Sequence, residues 1–115
     1  MVVVEKQLNN WMVFILKGQF IVRNIAYIRQ YFERAEDMLP PEVAIDMGEV
    51  TQIDSSAITM LINFQRRIIQ KNGRLVLFGM CPDVADIFSI VGIEKIFRIC
   101  TTNDDFKTRY LSQGL

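Results

Sequence analysis

Apolar and polar positions change period several times along the chain, and each change marks an element. Val2 to Leu8 and Trp11 to Leu16 are two β-rich runs separated by Asn9-Asn10, a turn signal, so they are predicted to pair as a hairpin. Gly18 reads as the end of the second strand. Ile21, Ile25, Ile28, Phe32, Ala35 and Leu39 then recur every three or four residues, which is one face of a helix, and Pro40-Pro41 stops it. Glu42 to Asp46 carries Val43, Ala44 and Ile45 as an unbroken apolar body, the mark of an inner strand covered on both faces. After it comes a tight loop.

Ser55 to Lys71 is the longest predicted helix. Ala57, Leu61, Phe64 and Ile68 form its core stripe, Ile58, Ile62 and Ile69 form a second apolar stripe, and Asn72-Gly73 caps its end. Arg74 to Phe78 is another inner strand. Pro82 opens a helix whose core face is Val84, Ile87, Phe88 and Val91, and Gly92 closes it. Ile96 to Ile99 reads as a last short strand. Asp104 to Leu111 reads as a terminal helix capped from Thr102 or Asn103. Strands alternating with about four helices predict an α/β fold with a mixed, mostly parallel sheet and right-handed crossovers. The N-terminal hairpin adds an antiparallel part. Residues 1–115 read as one domain, with no repeat or linker.

Composition narrows the function. Half the residues are hydrophobic, enough for a single core, and the formal net charge is zero. Mixed signs argue against direct nucleic-acid binding, which needs a one-signed basic surface. The dense basic spot, Arg66-Arg67 followed by Lys71 and Arg74, reads as a solvated helix face. With no histidine and two distant cysteines, Cys81 and Cys100, neither a metal site nor a cofactor is expected, and a reduced, cytoplasmic setting fits better than a disulfide. Met1-Val2-Val3-Val4 is too short and too soon charged for a signal peptide, and no apolar run approaches the roughly 20 residues of a membrane span.

The chemistry concentrates at Asp54-Ser55-Ser56. Asp54 is the natural N-cap, and the two hydroxyls stand where backbone N–H groups are unpaired and the helix dipole is positive. With Ala57 at zero on the helical wheel, Ser56 falls at about 260° beside Met60, Asn63 and Arg67, and is expected to face outward. Ser55 falls at about 160° and is expected to be shaded. Thr59, one turn on, is a further hydroxyl. Met60 shares the arc of Ser56 and is expected to be an exposed contact, whereas Met12, Met38, Met47 and Met80 read as core fillers and Trp11 as partial core. Asp46 is placed at the carboxyl edge of its strand, where parallel sheets present their sites. A phosphate at this helix start is expected among Asp54, Asp46 and Glu49, and desolvating it in an interface would cost several kcal/mol, with each ~1.4 kcal/mol a tenfold loss of binding. Catalysis is not expected: the Gly-x-Ser-x-Gly elbow, a histidine base and a glycine-rich phosphate loop are all missing.

The chain resembles the STAS domains, the family of bacterial anti-sigma factor antagonists. The resemblance is carried by Gly18, Asp46, Asp54-Ser55-Ser56, Gly73-Arg74-Leu75-Val76-Leu77, Pro82-Asp83-Val84 and Val91-Gly92-Ile93-Glu94-Lys95-Ile96-Phe97, in order over most of the chain. It implies a STAS fold and a partner-switching role. The unphosphorylated domain would bind an anti-sigma factor that is also a serine kinase and so release a sigma factor. Phosphorylation of Ser56, or alternatively of Ser55 or Thr59, would end that binding, and a serine phosphatase would restore it. The implied partner-binding residues are Asp46, Asp54, Ser55, Ser56, Ala57, Met60 and Asn63. Self-association as a homodimer is compatible with this role. Two departures stand out: Ala57 replaces the family's glycine, and Gln19 and Ile21 stand where the family often has acidic residues. They bear on the choice of kinase and slightly favour an alternative, an unphosphorylated scaffold subunit of a signalling or lipid-transport assembly.

Overall fold

The structure is a computed structural model that describes residues 1–111; the expected domain extends to residue 115, and its last four residues lie outside those described. Strand β1 (Val2–Leu8) turns through Asn9, at φ 54°, into the antiparallel β2 (Trp11–Phe20). A 3-10 turn (Val22–Asn24) leads into helix α1 (Ile25–Ala35). Then follow β3 (Glu42–Ile53), α2 (Ser55–Gln70), β4 (Arg74–Phe78), α3 (Pro82–Ile90), β5 (Arg98–Cys100) and α4 (Asn103–Phe106), which runs on into a π turn (Lys107–Leu111). The five strands lie in sequence order, antiparallel between β1 and β2 and parallel thereafter. This is the α/β architecture with a mixed, mostly parallel sheet that the pattern predicts.

Because each crossover steps one strand in the same direction, right-handed connections place the helices between parallel strands on one face. Alternate strand residues show it. Phe14, Leu16, Val43, Ile45, Leu75 and Leu77 pack with Phe32 of α1, Leu61 and Phe64 of α2 and Phe88 of α3. Trp11, Val13, Ala44, Val76 and Phe78 face the other way and pack with Phe106 of α4. Trp11 is therefore fully buried, edge-on to Phe106 and Tyr110, with the Arg74 guanidinium 4.8 Å from its ring centroid. Cys100 lies in this layer, where burial pushes its thiol up, and both cysteines are free.

Several expectations are corrected. Gly18 does not end β2: at φ +116° it carries the strand through an irregularity, and the β2–β3 register shifts on either side of it. β3 likewise does not stop at Asp46. It continues to Ile53 along β2, and the bulges space its buried residues Met47, Val50 and Ile53 three apart, which hid the strand's period of two. α1 is shorter at both ends. Its start is the 3-10 turn, and Leu39 is 95% exposed because Pro40 disfavours a helical conformation at the residue before it. In α2 the core stripe is as predicted and Ile58 and Ile62 are partly buried, but Ile69 is 59% exposed. Val91 is exposed rather than core. Gly92, at φ +74°, turns the chain so that Ile93 enters the core instead, its N–H bonded to the Phe88 carbonyl at 3.0 Å. The last strand begins at Arg98 because the Ile96 carbonyl accepts from buried Gln65 of α2. Thr102 is the cap of α4, accepting from the Asp105 N–H at 3.0 Å.

Gly73 is required by space. A Cβ there would come within 2.0 Å of the Pro41 carbonyl oxygen, so the turn after α2 can approach β3 only without a side chain. Phe64 stacks on Phe32 with centroids 4.3 Å apart and is wholly buried. Phe64→Ala is expected to lower unfolding free energy by about 3–5 kcal/mol, whereas Ile69→Ala should change it by less than about 0.5 kcal/mol. Urea titration of the two variants checks both.

Candidate functional site

β3 ends at Ile53, and Asp54, in extended conformation, turns the chain into α2. One carboxylate oxygen of Asp54 accepts the Ala57 N–H at 3.0 Å, as an N-cap should. The other accepts the Val22 N–H at 2.8 Å, from the 3-10 turn before α1. Partial burial alone would raise the pKa of this carboxyl. The N–H donors of Val22, Ala57 and Ser56, with its own, outweigh that and hold it below the ordinary aspartate value. One side chain thus fastens the starts of two helices together. Pattern reading finds the cap but not the bridge, because Val22 is distant in sequence and contributes only backbone.

From that fastening the helices run side by side. Val22 meets Asp54, Phe32 stacks on Phe64, and Glu36 pairs with Arg67, so a residue of α1 stands level with the residue about 32 positions later in α2. Between them lies an open groove of about 570 Å³. One wall is Val22, Ile25, Ala26 and Arg29; the other is Ser55, Ser56, Thr59, Met60, Asn63 and Arg67. The predicted arc of Ser56, Met60, Asn63 and Arg67 is therefore real, and it faces the groove.

The exposures differ from expectation. Ser55 is exposed and Ser56 half-buried, the reverse of the wheel reading, although both line the groove that the 3-10 turn and α1 face. Thr59 is exposed and Asn63 half-buried. Met60 is only 8% exposed and belongs largely to the core, so it is a floor to the groove rather than a free contact. Ala57 is 0% exposed; its methyl enters the core and cannot touch a partner. Asp46 shares the sheet face of Ala44, opposite the groove, at the last residue of β3 paired with β4. Its carboxylate accepts the Gly48 N–H at 2.9 Å, so it shapes its own strand. Glu49 pairs with Lys17 at 3.7 Å. Neither Asp46 nor Glu49 lines the groove, and two arginines do. The expectation of a largely acidic setting for a phosphate is thereby corrected.

Gln19 donates from its amide to Gln52 at 3.1 Å and accepts from Arg23 at 3.1 Å. That puts two amides and the Arg23 guanidinium on the rim beside Val22. Among the described residues no group of His, Cys, Asp and Glu side chains comes together that would hold a metal ion, and no helix is long and apolar enough to cross a membrane.

Comparison with known proteins agrees with this fold. The family model described as STAS domain matches residues 2–106. A STAS-domain containing protein of Pseudomonas aeruginosa is 27% identical over 84 residues, covering 73% of this chain and 82% of its own. An anti-sigma factor antagonist from Mycobacterium paratuberculosis superposes with a TM-score of 0.82 at 18% identity, over 93% of this chain and 91% of that one. The Bacillus cell fate determinant SpoIIAA, in its phosphorylated form, superposes at 0.69 with 15% identity, over 93% and 98%. The two structures share the fold.

Asp54→Ala removes both fastenings. It is expected to cost at least the ~1–2 kcal/mol of a lost cap, because the Val22 N–H also loses its acceptor. The folded pKa is lowered, so this contribution is complete above the ordinary aspartate value and fades as pH falls through the folded value below it. Denaturant midpoints of wild type and variant should therefore differ at pH 7 and converge in strong acid.

Proposed function

The chain belongs to the STAS domain family, and on that premise we propose that it is an anti-sigma factor antagonist that docks through the α1–α2 groove and is switched by a phosphate on Ser56. The observation that carries this is the placement of two hydroxyls, Ser55 and Ser56, in the first turn of α2 on the wall of the open α1–α2 groove. In the unmodified state the groove offers a partner a largely apolar wall of Val22, Ile25 and Ala26 over a Met60 floor, faced by a polar wall on α2. That combination suits the docking of a protein segment.

The partner in this reading is an anti-sigma factor with serine kinase activity, acting in the cytoplasm. Docking on the bare groove takes it from its sigma factor. Transfer of a phosphate from ATP to Ser56 puts about two negative charges where the partner had been seated, and a serine phosphatase returns the chain to its binding form. A partner must then desolvate a dianion to dock, and several kcal/mol of that cost is a loss of a thousandfold or more in affinity. The core need not respond, because the first turn of α2 is anchored by Asp54 and Ala57 and not by the serine hydroxyls. The chain acts as a binding module and not as an enzyme.

All three hydroxyls line the groove; Ser56 is preferred because it shares one helical arc with Met60, Asn63 and Arg67 and holds the second serine of the Asp54-Ser55-Ser56 motif, with Ser55, more exposed, the alternate and Thr59 the third. Incubation with ATP and the anti-sigma kinase captured from the source cell should add one phosphate to wild type, Ser55→Ala and Thr59→Ala, and none to Ser56→Ala, by intact-mass spectrometry. Undiminished uptake by Ser56→Ala would reject the assignment. Ser56→Asp should weaken kinase binding at least tenfold with little change in melting temperature. Capture of a transporter assembly in place of a sigma-regulating kinase would favour the scaffold role.

A further inference from the structure

Of the two arginines that line the groove, Arg67 is bound to Glu36, whereas no carboxylate among the described residues pairs with Arg29. Arg34, Arg74 and Arg109 are likewise tied to Glu5, Glu42 and Asp105. An arginine left without an anion beside two modifiable hydroxyls is a cation waiting for a charge that the unmodified chain does not supply. We infer that Arg29 receives the phosphate on Ser56 and ties α1 to α2 across the groove, closing the surface on which the partner docks. This rests on the switch proposed above and gives it a mechanism: the modified serine is not only repelled by a partner but also sequestered by the chain itself.

The helix register supports the assignment. Arg29 stands level with about residue 61 of α2, five residues beyond Ser56, or about 7–8 Å along the axis. Helical side chains lean toward the N-terminus of their own helix, which directs the long Arg29 side chain back toward the level of Ser56. Arg67 is eleven residues from Ser56, about 16 Å along the axis, and would have to release Glu36 to approach. Arg23 is level with Ser55, but its guanidinium donates to Gln19 and does not line the groove. A guanidinium presents a fork of donors that matches phosphate oxygens two at a time. The modification that creates the ligand forms the Ser56 Oγ–P bond and breaks the bond between the γ-phosphorus of ATP and its bridging oxygen. ADP leaves, and the hydroxyl proton passes to the kinase's base.

The test installs phosphoserine at position 56 during synthesis, so that no kinase is needed, and follows the phosphate by ³¹P NMR as pH is varied. A free phosphoserine gives up its second proton near pH ~6. A guanidinium in contact favours the dianion and lowers that value. The expected result is a second pKa at least about half a unit lower in wild type than in Arg29→Gln, with Arg23→Gln like wild type. Asp54 opposes the shift equally in all three proteins. The phosphate-bearing wild type should also melt above phosphate-bearing Arg29→Gln. A phosphate pKa unmoved by Arg29→Gln, or one that follows Arg23 instead, overturns the assignment. A chain that no kinase modifies would sink the switch yet leave this measurement readable, so the two failures are distinguishable.

Discussion

The Asp54 carboxylate is the constraint on which the groove between α1 and α2 depends. Its two oxygens accept N–H groups from α2 and from the turn that opens α1, elements separated by the whole of β3. The bridge sets where the two helices start, and the Phe32–Phe64 stack and the Glu36–Arg67 pair keep the same offset further along. Three unlike contacts, one charged and buried in donors, one aromatic and one ionic at the surface, thus agree on a single register. The groove is what that register leaves open. A slip of one helix by one turn would separate the hydroxyls of α2 from the wall that faces them.

The two faces of the sheet are covered differently. On the far side, α4 and the π turn seal Trp11, Val76 and Phe78, and Arg74 lies over the rings of both Trp11 and Tyr110. These contacts close the core and present little for a partner to read. On the near side, the helices between parallel strands must share one layer, and the seam between neighbouring helices is where a concave surface can form without disturbing the core. The serines sit at the mouth of that seam, in a helical turn secured by other groups. A phosphate there, as proposed, would leave in place the groups that secure the turn.

The departures from the family pattern acquire a physical meaning in the structure. Ala57 is wholly buried, so its methyl fills core space and stabilises α2 by about 0.8–1 kcal/mol relative to glycine, while the surface seen by a partner is unchanged. Gln19 is different. It stands on the exposed rim, where its amide donates to Gln52 and accepts from the Arg23 guanidinium. Under the proposed docking, partner choice would be read from the rim and the arginines of the groove and not from the glycine-to-alanine change.

Periodicity alone reveals the strands, the helices, the core stripe of α2 and the cap at Asp54, because each follows from the burial of side chains a few residues apart or from a hydrogen bond within one turn. The same local logic fails at Gly18 and after Asp46, where bulges break the alternation of β2 and β3, and at Leu39 and Val91, where apolar residues continue a stripe after the helix has ended. It also inverts the exposures of Ser55 and Ser56, since a wheel knows the direction of a helix's own core and nothing of the elements around it. The sequence by itself determined the class of fold and which turn carries the hydroxyls. Tertiary structure alone decided that Val22 is bonded to Asp54, that Asp46 faces away, and that Arg29 shares a groove with Ser56. Such pairings join residues some thirty positions apart through the packing of whole helices, and no local pattern encodes that distance.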